Sequence, residues 1–182
     1  MNACESILGL SPYQGGKPIE ELERELGIKN VVKLASNENP LGVSPKVVEA
    51  MKLSLKEVHR YPDGNGYELK KAISENLDVA TEMISLGNGS NELLELIARV
   101  FVCKKTDEVI FSQYAFVVYP LVTQALGATA KVAPAKDYGH DLNAMFELIN
   151  DNTKLIFIAN PNNPTWTLVS DDEIYSFLNN VP

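Results

Sequence analysis

Lys154-Leu155-Ile156-Phe157-Ile158-Ala159-Asn160-Pro161-Asn162-Asn163-Pro164-Thr165 is the stretch that decides how this chain is read. Its first five residues make a short apolar run with the length of a buried strand, and a polar stretch opens where that strand ends. Open α/β sheets bind ligands at the carboxyl ends of their strands. Prolines on both sides of the asparagine pair fix φ and remove two backbone donors. The Asn163 amide therefore sits on a stiff turn, where it can both give and take hydrogen bonds with a ring substituent. Taken alone, the stretch also reads as an ordinary Asn-Pro turn.

Around it, strand and helix patterns alternate: strand 83–86, helix 90–102, strand 108–111, helix 116–126, strand 129–133, helix 142–149, strand 154–158 and helix 171–178. This alternation predicts an α/β fold with a mainly parallel sheet and helices packed on its faces. Ser170 and Glu173 have the spacing of a capping box for the last helix. Earlier in the chain, 31–35 reads as a strand and 45–55 as a helix with proline in its first turn. The Gly-rich turn 63–66 then leads to a helix over 67–76. The first thirty residues read as an arm: a segment with Pro and Gly, 12–18, then a short solvated helix bearing Glu20, Glu21, Glu23, Arg24 and Glu25.

With 182 residues, 45% hydrophobic and 22% charged, the chain is long and apolar enough to bury a good core. Sixteen Lys and Arg against 24 Asp and Glu leave a net charge of −8, which argues against nucleic-acid backbone or an anionic membrane as partner. Met1-Asn2-Ala3-Cys4-Glu5 has no basic leader, and the most apolar run, 115–122, is interrupted by Pro120 and too short for a bilayer. A cytoplasmic location is the expectation. Cys4 and Cys103 form no CxxC pair and read as reduced thiols, with Cys103 expected in the core at the end of an apolar helix pattern. His59 and His140 have no partners at metal spacing, so no metal is expected and both read as surface residues.

Gly87-Asn88-Gly89-Ser90-Asn91-Glu92 suits the phosphate end of a ligand. The glycine lets backbone approach, while the first N–H groups of the helix point outward, unpaired and electropositive. Ser90 and Asn91 add side-chain donors; plain N-capping is the other reading of the same residues. A dinucleotide site fits less well, because Glu92 stands where GxGxxG has its third glycine.

These two stretches, together with Ser11-Pro12-Tyr13-Gln14-Gly15-Gly16-Lys17-Pro18-Ile19-Glu20-Glu21-Leu22, Leu34-Ala35-Ser36-Asn37-Glu38-Asn39-Pro40-Leu41-Gly42 and Arg60-Tyr61-Pro62-Asp63, come in an order that resembles the pyridoxal phosphate (PLP) aminotransferases of fold type I. The segments at 11–22 and 34–42 are similar to those of the histidinol-phosphate aminotransferases in particular. The resemblance runs from about residue 10 to residue 165, which corresponds to the N-terminal half or so of a family member. It implies an incomplete three-layer PLP-transferase large domain over 31–182, preceded by the arm of 1–30.

The resemblance also implies roles. Ser90 and Asn91 hold the cofactor phosphate, Tyr114 stacks on the pyridine ring and Asn163 tunes the ring oxygen. A flat, electron-poor ring favours an aromatic neighbour, and that neighbour keeps water away. From the residues alone, Tyr114 reads equally well as a core tyrosine under Phe116 and Val117; Tyr119 reads as core. Tyr61 reaches the phosphate of the neighbouring subunit's cofactor, which implies a homodimer, although its segment by itself is merely a turn. Tyr13 and Asn37 face the substrate, and Glu38 between two asparagines reads as structural. The family's Schiff-base lysine lies well beyond the Asn-Pro-Thr turn, and no lysine follows Lys154 here, so the chain carries no catalytic residue of its own.

The implied activity is PLP-dependent transamination between L-histidinol phosphate and 2-oxoglutarate, giving imidazole acetol phosphate and glutamate in histidine synthesis. An aromatic amino acid aminotransferase or a threonine-phosphate decarboxylase shares the frame. A reading of another class is a naturally truncated, non-catalytic interaction module. Two residues depart from the family pattern: Asn91 stands where aspartate is frequent, and Trp166 where glycine follows Asn-Pro-Thr. Glycine there would allow φ > 0, whereas tryptophan carries a steric cost and adds a large ring; either the turn differs or the cleft is altered.

Overall fold

Val109-Ile110-Phe111 carries two β-branched residues and an aromatic in a row, and the chain around it, Glu108–Ser112 (β1), becomes the middle strand of a three-stranded sheet. In the computed structural model, which describes residues 3–13 and 15–182, β1 pairs in parallel with Thr129–Ala133 (β2) on one side and Thr153–Ile156 (β3) on the other. Gln14 of the 11–22 segment and the first two residues of the Met1–Glu5 stretch lie outside the described residues. The helices, in chain order, are Glu5–Leu8 (α1), Ile19–Leu26 (α2), Pro45–Ser54 (α3), Tyr67–Leu77 (α4), Gly89–Phe101 (α5), Val118–Leu126 (α6), Leu142–Glu147 (α7) and Asp171–Asn180 (α8).

The alternation of side chains along β1 divides the core in two. Val109 and Phe111 pack with Ala98 and Val102 from the end of α5, with Val118, Tyr119 and Val122 of α6, and with Phe157. Ile110 points the other way, into a cluster with Ala133, Met145 of α7 and Phe177 of α8. A strand covered on both faces needs a nearly continuous apolar run, which β1 has. The chain steps from β1 outward to β2, then back past β1 to β3. Crossovers of one hand in opposite directions along a sheet place their helices on opposite faces, and α6 and α7 are so placed.

The described residues form two compact units, Met1–Ser11 with Leu86–Pro182, and Pro12–Ser85. In the first, the sheet is joined by α1, which lies on α6 with the Ser6 hydroxyl donating to the Ala125 carbonyl at 3.2 Å. The second holds α2, α3 and α4 and two single turns of 3₁₀ helix, Leu55–Glu57 and Thr81–Met83. There Asp63 accepts the N–H groups of Tyr67 (2.9 Å) and Asn65 (3.0 Å), which starts α4. Those two donors, Tyr67 first, hold the Asp63 carboxyl below the ordinary carboxylate range.

Apart from α1, which has no sequence-based counterpart, the helices and the three sheet strands fall close to their sequence-based positions, and the capping box forms. Ser170 Oγ accepts the Glu173 N–H at 3.4 Å, and the Glu173 carboxylate accepts the Ser170 N–H at 3.0 Å. The segments 31–35 and 83–86 are not strands. A strand exists only in a ladder, and among the described residues neither has a partner; Val32 and Leu34 are exposed, and Met83 ends a 3₁₀ turn. Cys103 is exposed rather than core, because α5 stops at Phe101 and Val102 fills the buried place. The Cys103 and Lys104 N–H groups turn instead to Asp107 Oδ2, both at 2.8 Å, and hold that carboxyl below its ordinary range. His140 is buried, against its reading as a surface histidine. No helix of the described residues is long and apolar enough to cross a membrane.

Because Ile110 is wholly buried at the centre of the second cluster, Ile110→Ala should cost about 2–5 kcal/mol. Chemical denaturation is the check. A cost below about 1 kcal/mol would mean the strand is not the centre of the packing.

Candidate functional site

At the carboxyl edge of the sheet the connections from β1 and β3 part company. The chain leaves β1 through residues 113–117 to α6 on one face, and leaves β3 through 157–170 to α8 on the other. Two adjacent parallel strands whose connections diverge leave a crevice between them, the usual ligand position in open α/β sheets. Helix α5 feeds β1 through a short connection and so runs against the strand direction, which brings the N-terminus of α5 to this same edge.

One buried amide ties the two connections together. Asn162, only 2% exposed, donates from Nδ2 to the Tyr114 carbonyl (3.0 Å) and to Thr165 Oγ1 (2.7 Å). Its backbone N–H reaches the Thr167 carbonyl, and its own carbonyl accepts the Trp166 N–H, each at 2.8 Å. Asn160 closes the same loop further out. Its amide nitrogen donates to the Val169 carbonyl (2.8 Å) and its oxygen accepts the Val169 N–H (2.9 Å), imitating a piece of β-ladder. The buried His140 joins from the side: Nε2 lies 2.8 Å from the Ala159 carbonyl, which can only accept, so Nε2 carries the proton. Both Asn-Pro bonds of this loop, 160–161 and 163–164, are cis.

On this frame, Asn163 is half-buried and its amide makes no side-chain hydrogen bond within the described residues. Tyr114 is 41% exposed, so it is neither a core residue nor free in solvent; its ring lies 5.3 Å from that of Tyr138, tilted by 38°. Tyr119, by contrast, is core. It stacks on Phe157 at 4.4 Å with planes 2° apart, and burial pushes its phenol pKa up.

Ser90 and Asn91 stand exposed in the first turn of α5. The capping alternative for them is not realised, since the N-terminus of α5 has no side-chain cap bond. Glu92 instead turns its carboxylate back to the Asn88 N–H (2.6 Å) and side-chain amide (3.3 Å). The first N–H groups of the helix are left outward and electropositive. Gly89 has φ +76°, and a Cβ there would meet nothing within 4 Å, so open space lies before the turn.

Trp166 adopts φ +60°, the left-handed conformation that costs a non-glycine residue about 1–2 kcal/mol. The turn has thus kept the backbone that a glycine would favour, and the indole lies 75% exposed at its surface. Tyr13, Asn37 and Tyr61 belong to the other unit. Tyr61 is fully exposed, Tyr13 is 56% exposed, and Asn37 lies in an exposed loop where its neighbour Glu38 pairs with Lys33 at 2.8 Å. Among the described residues no cluster of His, Cys, Asp and Glu could hold a metal ion.

Two contributors escape a reading of the sequence. Asn162 is one: the pair Asn162-Asn163 shows two amides without showing which turns inward. Tyr138 is the other, since Asp137-Tyr138-Gly139 carries only the signal of a turn.

Residues 29–182 match the aminotransferase class I and II family. The chain is 60% identical, over 95% of its length, to histidinol-phosphate aminotransferase 1 of Idiomarina loihiensis. It is 58% identical, over 99%, to the enzyme of the same name in Mannheimia succiniciproducens. It covers 47% and 49% of those proteins, so the chain spans about half the length of the curated relatives it matches. Among solved structures it is similar to histidinol-phosphate aminotransferase from Sinorhizobium meliloti in complex with pyridoxal-5'-phosphate, with TM-score 0.87 and 25% identity over 98% of this chain and 47% of that one.

Replacing Asn162 removes the tie between the two connections and leaves a buried carbonyl without its donor. Asn162→Ala and Asn162→Asp should each cost about 1–3 kcal/mol, read by denaturation of the full protein. Wild-type stability in both variants would show that the loops do not depend on this amide.

Proposed function

The chain belongs to the class I and II aminotransferases, and on that premise we propose that the protein carrying it moves an amino group between L-histidinol phosphate and 2-oxoglutarate, giving imidazole acetol phosphate and glutamate. The observation that carries the substrate choice is the 60% and 58% identity, over nearly all of this chain, to two relatives bearing that name. We propose PLP as the cofactor, a homodimer as the working form and the cytoplasm as its place.

The residues at the carboxyl edge fit such a cofactor. A ligand with a dianionic phosphate at one end and a flat, polar-substituted ring at the other needs an electropositive pocket, an aromatic surface and an amide. The open first turn of α5 beyond Gly89, the half-exposed ring of Tyr114 and the unengaged amide of Asn163 are of those three kinds. Ser112 Oγ and Asn162 Oδ1, both buried without hydrogen-bond partners, add unspent polar capacity at the same edge.

In this reading Ser90 and Asn91 hold the phosphate with their side chains and with the N–H groups of the helix start. Tyr114 covers one face of the ring and keeps water from it. Asn163 donates its amide N–H to the ring oxygen, where the stiff turn keeps the donor aimed without further ordering cost. Bound there, PLP supplies the electron sink through which an amino group leaves one carbon skeleton and joins another. The covalent lysine role falls to no residue of this chain, since no lysine follows Lys154. Tyr13 and Asn37 are assigned to the substrate. Tyr61, whose ring is wholly exposed, is assigned to the cofactor phosphate of the neighbouring subunit.

Amino-group transfer by the full protein should be measured with L-histidinol phosphate and with aromatic amino acids, each against 2-oxoglutarate, and release of CO2 with threonine phosphate. A kcat/KM for L-histidinol phosphate at least about tenfold above the others is the expected outcome. Preference for an aromatic amino acid would replace the substrate choice. Trp166→Gly should relieve the left-handed strain and tighten PLP binding in a titration; unchanged affinity would show that the indole leaves the cleft alone.

A further inference from the structure

Tyr138 belongs to neither core cluster, is 67% exposed and has no part in the reading above, yet its backbone lies in a closed turn and its ring meets that of Tyr114. Lys136 and Gly139 close a tight turn, with the Gly139 N–H donating to the Lys136 carbonyl at 2.8 Å and the Lys136 N–H to the Gly139 carbonyl at 3.3 Å. The two residues between them, Asp137 (φ +49°) and Tyr138 (φ +63°), are both left-handed, as a type I′ turn requires. Glycine and asparagine suit those places; tyrosine does not, and a bulky side chain persists in such a conformation only where its surroundings over-determine it.

The surroundings are the loop that builds the candidate site. A Cβ on Gly139 would lie 3.0 Å from Thr167 Oγ1 and 3.1 Å from Thr167 Cβ, so the turn sits directly against Thr167. The Thr167 hydroxyl is 3.0 Å from that of Thr165, which accepts the amide of Asn162, which in turn donates to the carbonyl of Tyr114. The backbone of Tyr114 and the turn bearing Tyr138 are therefore fixed to one frame. Their rings meet at 5.3 Å, inside the range of aromatic pairs, while Tyr114 keeps 41% of its surface open.

We propose that Tyr138 is a positioning residue that braces the ring of Tyr114 and sets the tilt at which Tyr114 meets the pyridine ring of the cofactor. This rests on the assignment of Tyr114 to the cofactor. The strained turn has a use on this account: it is the conformation that carries the second ring to the first.

The test uses the full protein and three variants. Tyr138→Asn removes the ring and keeps a residue that tolerates the left-handed turn. Tyr138→Phe keeps the ring and removes the hydroxyl. Tyr114→Ala reports on the premise. PLP affinity is read by absorbance titration, the orientation of bound cofactor by its visible circular dichroism, and folding by the thermal midpoint. Tyr138→Asn should weaken PLP binding by about 2–10-fold and diminish the dichroism with little change in midpoint, and Tyr138→Phe should restore both. If Tyr114→Ala weakens binding while Tyr138→Asn leaves affinity and dichroism at wild type, the brace is overturned and the assignment of Tyr114 survives. If Tyr114→Ala itself changes neither, the assignment of Tyr114 falls and takes the brace with it. A fall in affinity that Tyr138→Phe does not restore would also overturn the proposal, since the ring would not be what matters.

Discussion

Strand β1 is covered on both faces, and most of the first unit follows from that. An apolar strand flanked by two others must have helices above and below it, so α5 and α6 take one face and α7 and α8 the other. The connections leaving β1 and β3 must then head for opposite faces, and their divergence opens the crevice at the carboxyl edge. The position of the candidate site is in this sense a by-product of burying Val109, Ile110 and Phe111.

A crevice between diverging loops would be soft without something to hold it, and here the holding is done by amides. Asn160 pairs with Val169, Asn162 donates to Tyr114 and Thr165, and His140 donates to Ala159, so that these three side chains tie the 159–169 loop to the protein. The groups assigned to the cofactor, the Asn163 amide, the Tyr114 ring and the first turn of α5, are left over, and so among the described residues are the buried Ser112 Oγ, His140 Nδ1 and Asn162 Oδ1, which have no hydrogen-bond partner. Strain collects at the same edge, with Asp137, Tyr138 and Trp166 all at positive φ. A loop tied down by buried amides, with strained or unengaged groups beside it, is what a preorganised binding site requires.

Much of this was legible in the sequence, and the exceptions have physical causes. Apolar runs at 108–111, 129–133 and 154–158, separated by helical periodicity, were enough to place the sheet strands, and Ser170 with Glu173 marked the start of α8 to the residue. The runs at 31–35 and 83–86 have strand composition too, but a strand is a relation between two segments and composition shows only one. Cys103 and His140 were misplaced for a related reason. Burial at the end of an element turns on a single residue, and α5 ends early enough to bury Val102 in place of Cys103. The histidine can be buried because a carbonyl nineteen residues away accepts a hydrogen bond from its Nε2–H, a partner that no local pattern shows. The division of labour between Asn162 and Asn163, and the meeting of Tyr138 with Tyr114, likewise depend on loops that become neighbours only after the sheet has formed.

In the proposed complex the carboxyl edge of β1 and β3 holds PLP with its phosphate at the start of α5 and its ring on Tyr114. A crystal structure of the full protein with PLP tests it most directly. The expected result is phosphate density within hydrogen-bond reach of Ser90 and Asn91, a pyridine ring stacked on Tyr114 and the Asn163 amide at the ring oxygen. Cofactor bound elsewhere, or bound here with its phosphate away from α5, would overturn this placement.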